Sequence, residues 1–373
     1  MVYEKNETTM TETPIRTPLT PDASINRFVL RDIPGVKIDE GVRGKTAYEL
    51  VGTPSVFEMI RANAAALHIP AAAVAEQNTD AFIRLDQAFD SGNEKVRRTA
   101  REVARRFGRN LGYVLLALRH PEAVREHPVA WDGWMHEHWL KLPRLWLGGG
   151  LIRGHLGKWA IPYIRGVFTE AGITPSDLMR DPYGASLPLV GAACCAPTSA
   201  TSAAVLDFGR TGVKRGAASY VKGALHGLHL LTTLPTRWDG ERDDANLEAD
   251  LQRFQDEFVI PAIAETFIEA RPECPLIPIS IAAYIDGKGE PYARQANPYA
   301  GLRGFNGTLQ ETLSREVSRR VGRDVRVELI HDGTAAATAH PGDTVMALGT
   351  AIGIGYWPAV DDPRPVEDGL VIK

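Results

Sequence analysis

The stretch Val205–Gly216, VLDFGRTGVKRG, decides how the chain is read. Val205 and Leu206 end an apolar run, Gly209 breaks it, and a second extended run starts near Val213. The pattern is strand, tight turn, strand. Asp207 stands at the end of the first strand, with Thr211 four residues on. Gly209 lets backbone come close to a ligand, and the hydroxyl and N–H of Thr211 can donate to phosphate oxygens. Asp207 can hold Mg²⁺ through water, because hard cations take oxygen ligands. A turn of this kind often opens a phosphate-handling domain, yet roughly two hundred residues precede it.

Three other short elements share the theme of a strand running into a turn of small residues. Leu348–Gly353, LGTAIG, offers the N–H groups and hydroxyl of Gly349 and Thr350. Gly148-Gly149-Gly150 precedes an expected helix and suits a flat base or a phosphate. His331-Asp332-Gly333-Thr334 puts an acid at a strand end, opening the helix TAAATA. Any one of them is weak evidence. Two Gly-Thr turns, a strand-end Asp and a triple glycine in one chain are harder to dismiss together.

The 373 residues suggest two domains, or one fold of two lobes. The chain is 44% apolar with a net charge of −4, which points away from nucleic acid and from anionic membranes. Arg is dense over 97–109, and is read as a solvated helix face. Cys194, Cys195 and Cys274 cannot make a disulfide framework and fit a reducing cytoplasm. Residues 1–25 lack an apolar h-region and read as a disordered tail.

Along the chain, 93–118 has helical period, and Thr174-Pro175 marks a helix start. Gly184–Leu206 reads as a buried helix, a small-residue linker and a strand. From Val205 to about Leu234 the pattern is three consecutive antiparallel strands. Residues 246–270 are helical, with Pro261 expected to bend or split them. A buried strand run follows from Pro275 and ends in the Asp286-Gly287 turn. An amphipathic helix carries Leu309, Leu313 and Val317, and the class is α/β.

At this point the chain resembles the actin-like ATPase (ribonuclease H-like) superfamily, and within it sugar kinases of the glucokinase and repressor–open-reading-frame–kinase type. LDFGRTGVKRG resembles that family's first phosphate loop, VRVELIHDGTAAATA the strand and helix with its catalytic Asp, and VMALGTAIGIGYW its second phosphate loop. LWLGGGLIRG resembles its adenosine loop and LPLVGAACC its closing helix. PLIPISIAAYIDGKGE and QANPYAGLRGFNGTLQETL resemble the strand before the sugar segment and that segment; YELVGTPSVFEMI resembles the piece after the second phosphate loop. The likeness covers nearly everything from Gly44 onward. The order differs: the adenosine-like loop and closing helix come first, at 146–195, before the first phosphate loop. That is a circular permutation, with the old termini joined through CAPTSATSA, 195–203, a flexible composition. It implies a large nucleotide-binding lobe of 26–182 plus 331–373 and a small lobe of 183–330.

The resemblance implies a cytoplasmic enzyme that passes a phosphoryl group from ATP, with Mg²⁺, to a hydroxyl of a sugar, aminosugar or cyclitol. Asp332 would be general base, kept ionised by a helix N-terminus. Asp207 would hold Mg²⁺ through water. Gly209, Arg210, Thr211, Gly349 and Thr350 would cradle phosphates, and Gly149 and Gly150 would flank adenosine. Asn297, His331 and Glu49 would meet the acceptor. A homodimer is common in the family. Two departures stand out: Arg210 replaces a second glycine, and His331 replaces an Asn. They leave open a sensor or scaffold of the same fold that has lost turnover.

Overall fold

The computed structural model describes residues 19–75, 79–120, 134–238, 247–292 and 298–373. They form a mixed α/β structure with two sheets of mixed parallel and antiparallel strands. The strands are β1 (Arg144–Gly148), β2 (Asp177–Arg180), β3 (Ser202–Phe208), β4 (Gly212–Val221), β5 (Ala224–Pro235), β6 (Leu276–Ile281), β7 (Arg326–His331), β8 (Thr344–Leu348), β9 (Ile352–Gly355) and β10 (Val366–Ile372). The first sheet has the order β10-β5-β4-β3-β6-β7 and the second β2-β1-β8-β9.

The two sheets repeat one plan. In the first, β3 turns back into antiparallel β4, while β6 and then β7 lie parallel on its other side. In the second, β8 turns back into antiparallel β9, while β1 and then β2 lie parallel on its other side. In the first sheet the parallel strands follow the hairpin in the chain; in the second they precede it by roughly two hundred residues.

Burial explains the composition of the strands. All of β6 is buried, and β3 is buried from Ala203 on, so neither alternates, and the polar Asp207 and Ser280 stand out among their buried apolar residues. One face of the first sheet packs on the helices Ile260–Ala270 and Leu309–Val321 through Ile263, Phe267, Leu313 and Val317. The other receives the helix Leu187–Ala193 through Leu187, Leu189 and Val190. The second sheet shares one core with the long helices Glu94–Ala117 and His155–Glu170, so Leu348 and Ile354 pack in the cluster that holds Phe107 and Ile164.

Four expectations change or gain detail. The helix expected after Thr174-Pro175 is instead β2: Asp177 N donates to Pro143 O and Asp181 N to Leu147 O, so pairing with β1 overrides the local helix-start signal. At Pro261 the helical run is split as expected: the α-helix Leu247–Phe254 gives way to a π-helical turn, Gln255–Val259, just before the proline, and α-helix resumes over Ile260–Ala270. Residues 19–25 do not belong to a disordered tail, because Leu19, Ala23 and Ile25 are buried.

The fourth concerns the linker 195–203. Arg364, itself buried, donates to the carbonyls of Ala196 (3.1 Å), Ala200 (2.9 Å) and Pro197, and its guanidinium lies 4.0 Å over the ring of Tyr220. The segment is pinned in spite of its composition. Arg364→Ala is expected to cost about 2 kcal/mol, leaving three carbonyls without their donor. Denaturant unfolding measures the loss, and limited proteolysis should show new cleavage near Ser199. Among the described residues no helix is long and apolar enough to cross a membrane.

Candidate functional site

The parallel strands of both sheets end on one cleft of about 570 Å³. Asp207 comes from the end of β3, Ala282 and Ala283 follow β6, and His331 and Asp332 close β7. Gly149 and Gly150 follow β1, and Gly349 and Thr350 follow β8. Ligand sites of open α/β sheets lie at such carboxyl ends. Gly209, Arg210 and Thr211 also line the cleft. Of the residues singled out from the sequence, Glu49 does not line it. Its carboxylate accepts from Thr46 N (2.8 Å) and Oγ1 (2.7 Å), capping the helix Ala47–Val51. Asn297 lies outside the described residues.

Asp207 is buried, with both oxygens engaged. Ser280 Oγ donates to Oδ1 (2.9 Å) and Lys214 Nζ to Oδ2 (2.6 Å). Lys214 stands directly opposite Asp207 in the β3–β4 ladder. Its side chain also lines the cleft, beside the turn Gly209–Thr211. Lys214, Ser280 and the cleft-lining Tyr284 were not singled out from the sequence. Lys214 was within reach there, since counting across the hairpin pairs it with Asp207. Lys214→Met is expected to destabilise the protein by about 2 kcal/mol, because a buried carboxylate loses a charged donor. Thermal unfolding of the two proteins at pH 7.5 checks it.

Asp332 contradicts the expectation of a carboxylate held ionised. Its carboxyl is pushed up to about 7, first by burial and then by the charge of Asp207. The single N–H of Gly333 on Oδ1 (2.7 Å) and the positive charge of Lys214 only partly offset this. The helix behind it, Asp332–Thr338, has two turns, too few to outweigh desolvation.

His331, not Asp332, is the helix N-cap. Its Nδ1 accepts from Thr334 N (3.4 Å), so the ring proton belongs on Nε2, which lies 3.2 Å from Asp332 Oδ1. Burial lowers the His331 pKa to about 3, so the ring is neutral and adds no charge to stabilise the carboxylate. The ring of Tyr284 stacks on it at 4.3 Å.

The other two loops brace each other. Gly149 has φ +87°, and a Cβ there would lie 2.3 Å from Leu348 O, so the loop after β1 touches the end of β8 only because it is glycine. Gly349 O accepts from Thr53 N (3.0 Å). The side-chain amide of Asn26 exchanges two hydrogen bonds of 2.8 Å with the backbone of Ile352. Residues near the start of the chain thus hold a turn near its end.

The residues fit a divalent cation held by one carboxylate and by phosphate oxygens: two acids face one cleft, and the charge of one raises the pKa of the other. Among the described residues no group of three or more His, Cys, Asp or Glu is arranged to hold a metal by itself. Chemically, the cleft offers backbone donors, a lysine, a guanidinium from Arg210 and a carboxylate poised to take a proton near neutral pH. No protein-family model matches the chain, and no match was found among the curated proteins.

Proposed function

We propose that the protein transfers the γ-phosphoryl group of ATP to a hydroxyl of a sugar, aminosugar or cyclitol, in a circularly permuted actin-like fold. The observation that carries this reading is the convergence of Asp207, both Gly-Thr turns, the Gly149-Gly150 loop and Asp332 on one cleft between two sheets. The repeated strand plan supports the permutation. β1 and β2 hold in the second sheet the places that β6 and β7 hold in the first, yet precede their hairpin in the chain.

Such transfer is mostly positioning and neutralisation of charge. Lys214 and the N–H groups of the Gly209–Thr211 and Gly349–Thr350 turns face the phosphates, Arg210 reaches the same charge from the rim, and Gly149 and Gly150 flank the adenosine. Asp332, ionised in half of the molecules near pH 7, takes the acceptor hydroxyl proton as that oxygen attacks. The neutral ring of His331, with Nε2 3.2 Å from the Asp332 carboxylate, adds no charge beside it. When bound, Mg²⁺ supplies neutralisation of the β- and γ-phosphates, with Asp207 its protein-side holder.

The test is ADP release from MgATP over a panel of monosaccharides, aminosugars and cyclitols. One or more acceptors should stimulate release. Sugar-dependent thermal shifts without any turnover would replace this reading with that of a sensor.

A further inference from the structure

The turn that faces the phosphates is held from behind. Gly209 O accepts two hydrogen bonds, from Thr236 Oγ1 (3.1 Å) and Tyr299 Oη (3.2 Å), and the two hydroxyls lie 3.0 Å apart. Thr236 N donates to Thr211 O (3.4 Å). Tyr299 is completely buried, its ring packed edge-on against Phe208 at 5.6 Å, and burial raises its pKa to about 12, so it is a neutral donor. Thr236 follows β5, and Tyr299 lies in the short 3₁₀ helix Pro298–Gly301. Neither residue lines the cleft.

In a trans peptide the C=O of one residue and the N–H of the next point in opposite directions. With Gly209 O turned back onto two hydroxyls, the N–H of Arg210 is turned forward, toward the cleft. The turn has no glycine at position 210 to relax it, so its peptide plane depends on what holds that carbonyl.

From this geometry we infer that Tyr299 and Thr236 are positioning residues for anion binding. They aim the Arg210 N–H at the phosphate of the nucleotide, and through Tyr299 they join the phosphate turn to the segment that follows residue 297. This rests on the reading of the cleft as a nucleotide site.

The experiment is calorimetric titration of the full-length protein with MgADP. It compares wild type with Tyr299→Phe, Thr236→Val, Thr236→Ser and the Tyr299→Phe/Thr236→Val pair. Loss of both hydroxyls is expected to weaken MgADP about tenfold, and either single loss a few-fold. Thr236→Ser, which keeps the hydroxyl, should stay within about twofold of wild type. A merely structural role would lower the unfolding temperature and leave the affinity of the folded protein unchanged. Leu313→Ala, a core truncation away from the cleft, shows that pattern by design. If both single variants and the pair bind MgADP as wild type does, the inference is overturned and the nucleotide site stands. If wild type itself binds no MgADP, the site reading falls and takes the inference with it. Should the pair fail to fold, Tyr299→Phe set against Thr236→Ser decides the matter alone.

Discussion

Asp332→Asn lowers turnover by about a thousandfold while leaving MgADP binding intact, the loss expected when a general base is replaced by its neutral isostere. Asn keeps the shape and can still accept the Gly333 N–H that now bonds Oδ1, so the helix start is conserved and only proton acceptance goes. The pH profile is the sharper measurement. A base with its pKa raised to about 7 is protonated below that pH and inactive. The kcat/KM of wild type should therefore rise about tenfold per unit up to pH 7 and level off above it, a limb that the Asn variant lacks. Stability moves the opposite way. The ordinary carboxyl pKa is 3.8 and the folded one about 7, so the native state holds a proton that the unfolded chain releases. Wild type should lose stability between about pH 4 and pH 7 relative to Asp332→Asn, and the difference should be constant above that. Equal turnover in the two proteins would remove Asp332 from the chemistry.

The second large effect is in packing. Gly191 lies in the helix Leu187–Ala193, and a Cβ there would sit 1.6 Å from Ala335 O in the helix Asp332–Thr338. No rotamer relieves a clash between a Cβ and a backbone oxygen, so the helices must part. Gly191→Ala is expected to cost about 3 kcal/mol, at the upper end of ordinary overpacking. It should also depress turnover, because the displaced helix carries Asp332. Gly150→Ala is the stability control: nothing lies within 4 Å of its Cβ, and the unfolding midpoint should hardly move. Denaturant unfolding of the three proteins, read with turnover, separates the outcomes. If Gly191→Ala unfolds like wild type, the two helices are not locked together.

What could be read from the sequence was local. The β3–β4 hairpin followed from the turn at Gly209, and the strand-to-helix passage at Asp332 from an apolar run meeting small residues. The β2 segment reads wrongly as helix because four residues, only Leu178 of them buried, carry too little pattern to outweigh a Thr-Pro signal; only the free edge of β1 decides for strand. The Asp332 pKa was misjudged for a similar reason. A helix start is visible in one dimension, whereas desolvation and the charge of Asp207 arrive through folding. Arg364 and Asn26 each hold backbone more than 160 residues away, and no spacing rule announces such partners.

The path by which the chain leaves the second sheet for β10 has a use. After β9 the chain crosses over to lie along β5 of the first sheet, while residues 30–46 stay with the second, tied by Asp39 to Arg109 on the helix Glu94–Ala117. Two exposed positions, Lys37 and Asp368, thus ride on different sheets although each lies near an end of the sequence. A donor and an acceptor dye attached at those two points would convert any change in the angle between the sheets into a change in energy transfer. The order of the chain has furnished the protein with its own goniometer.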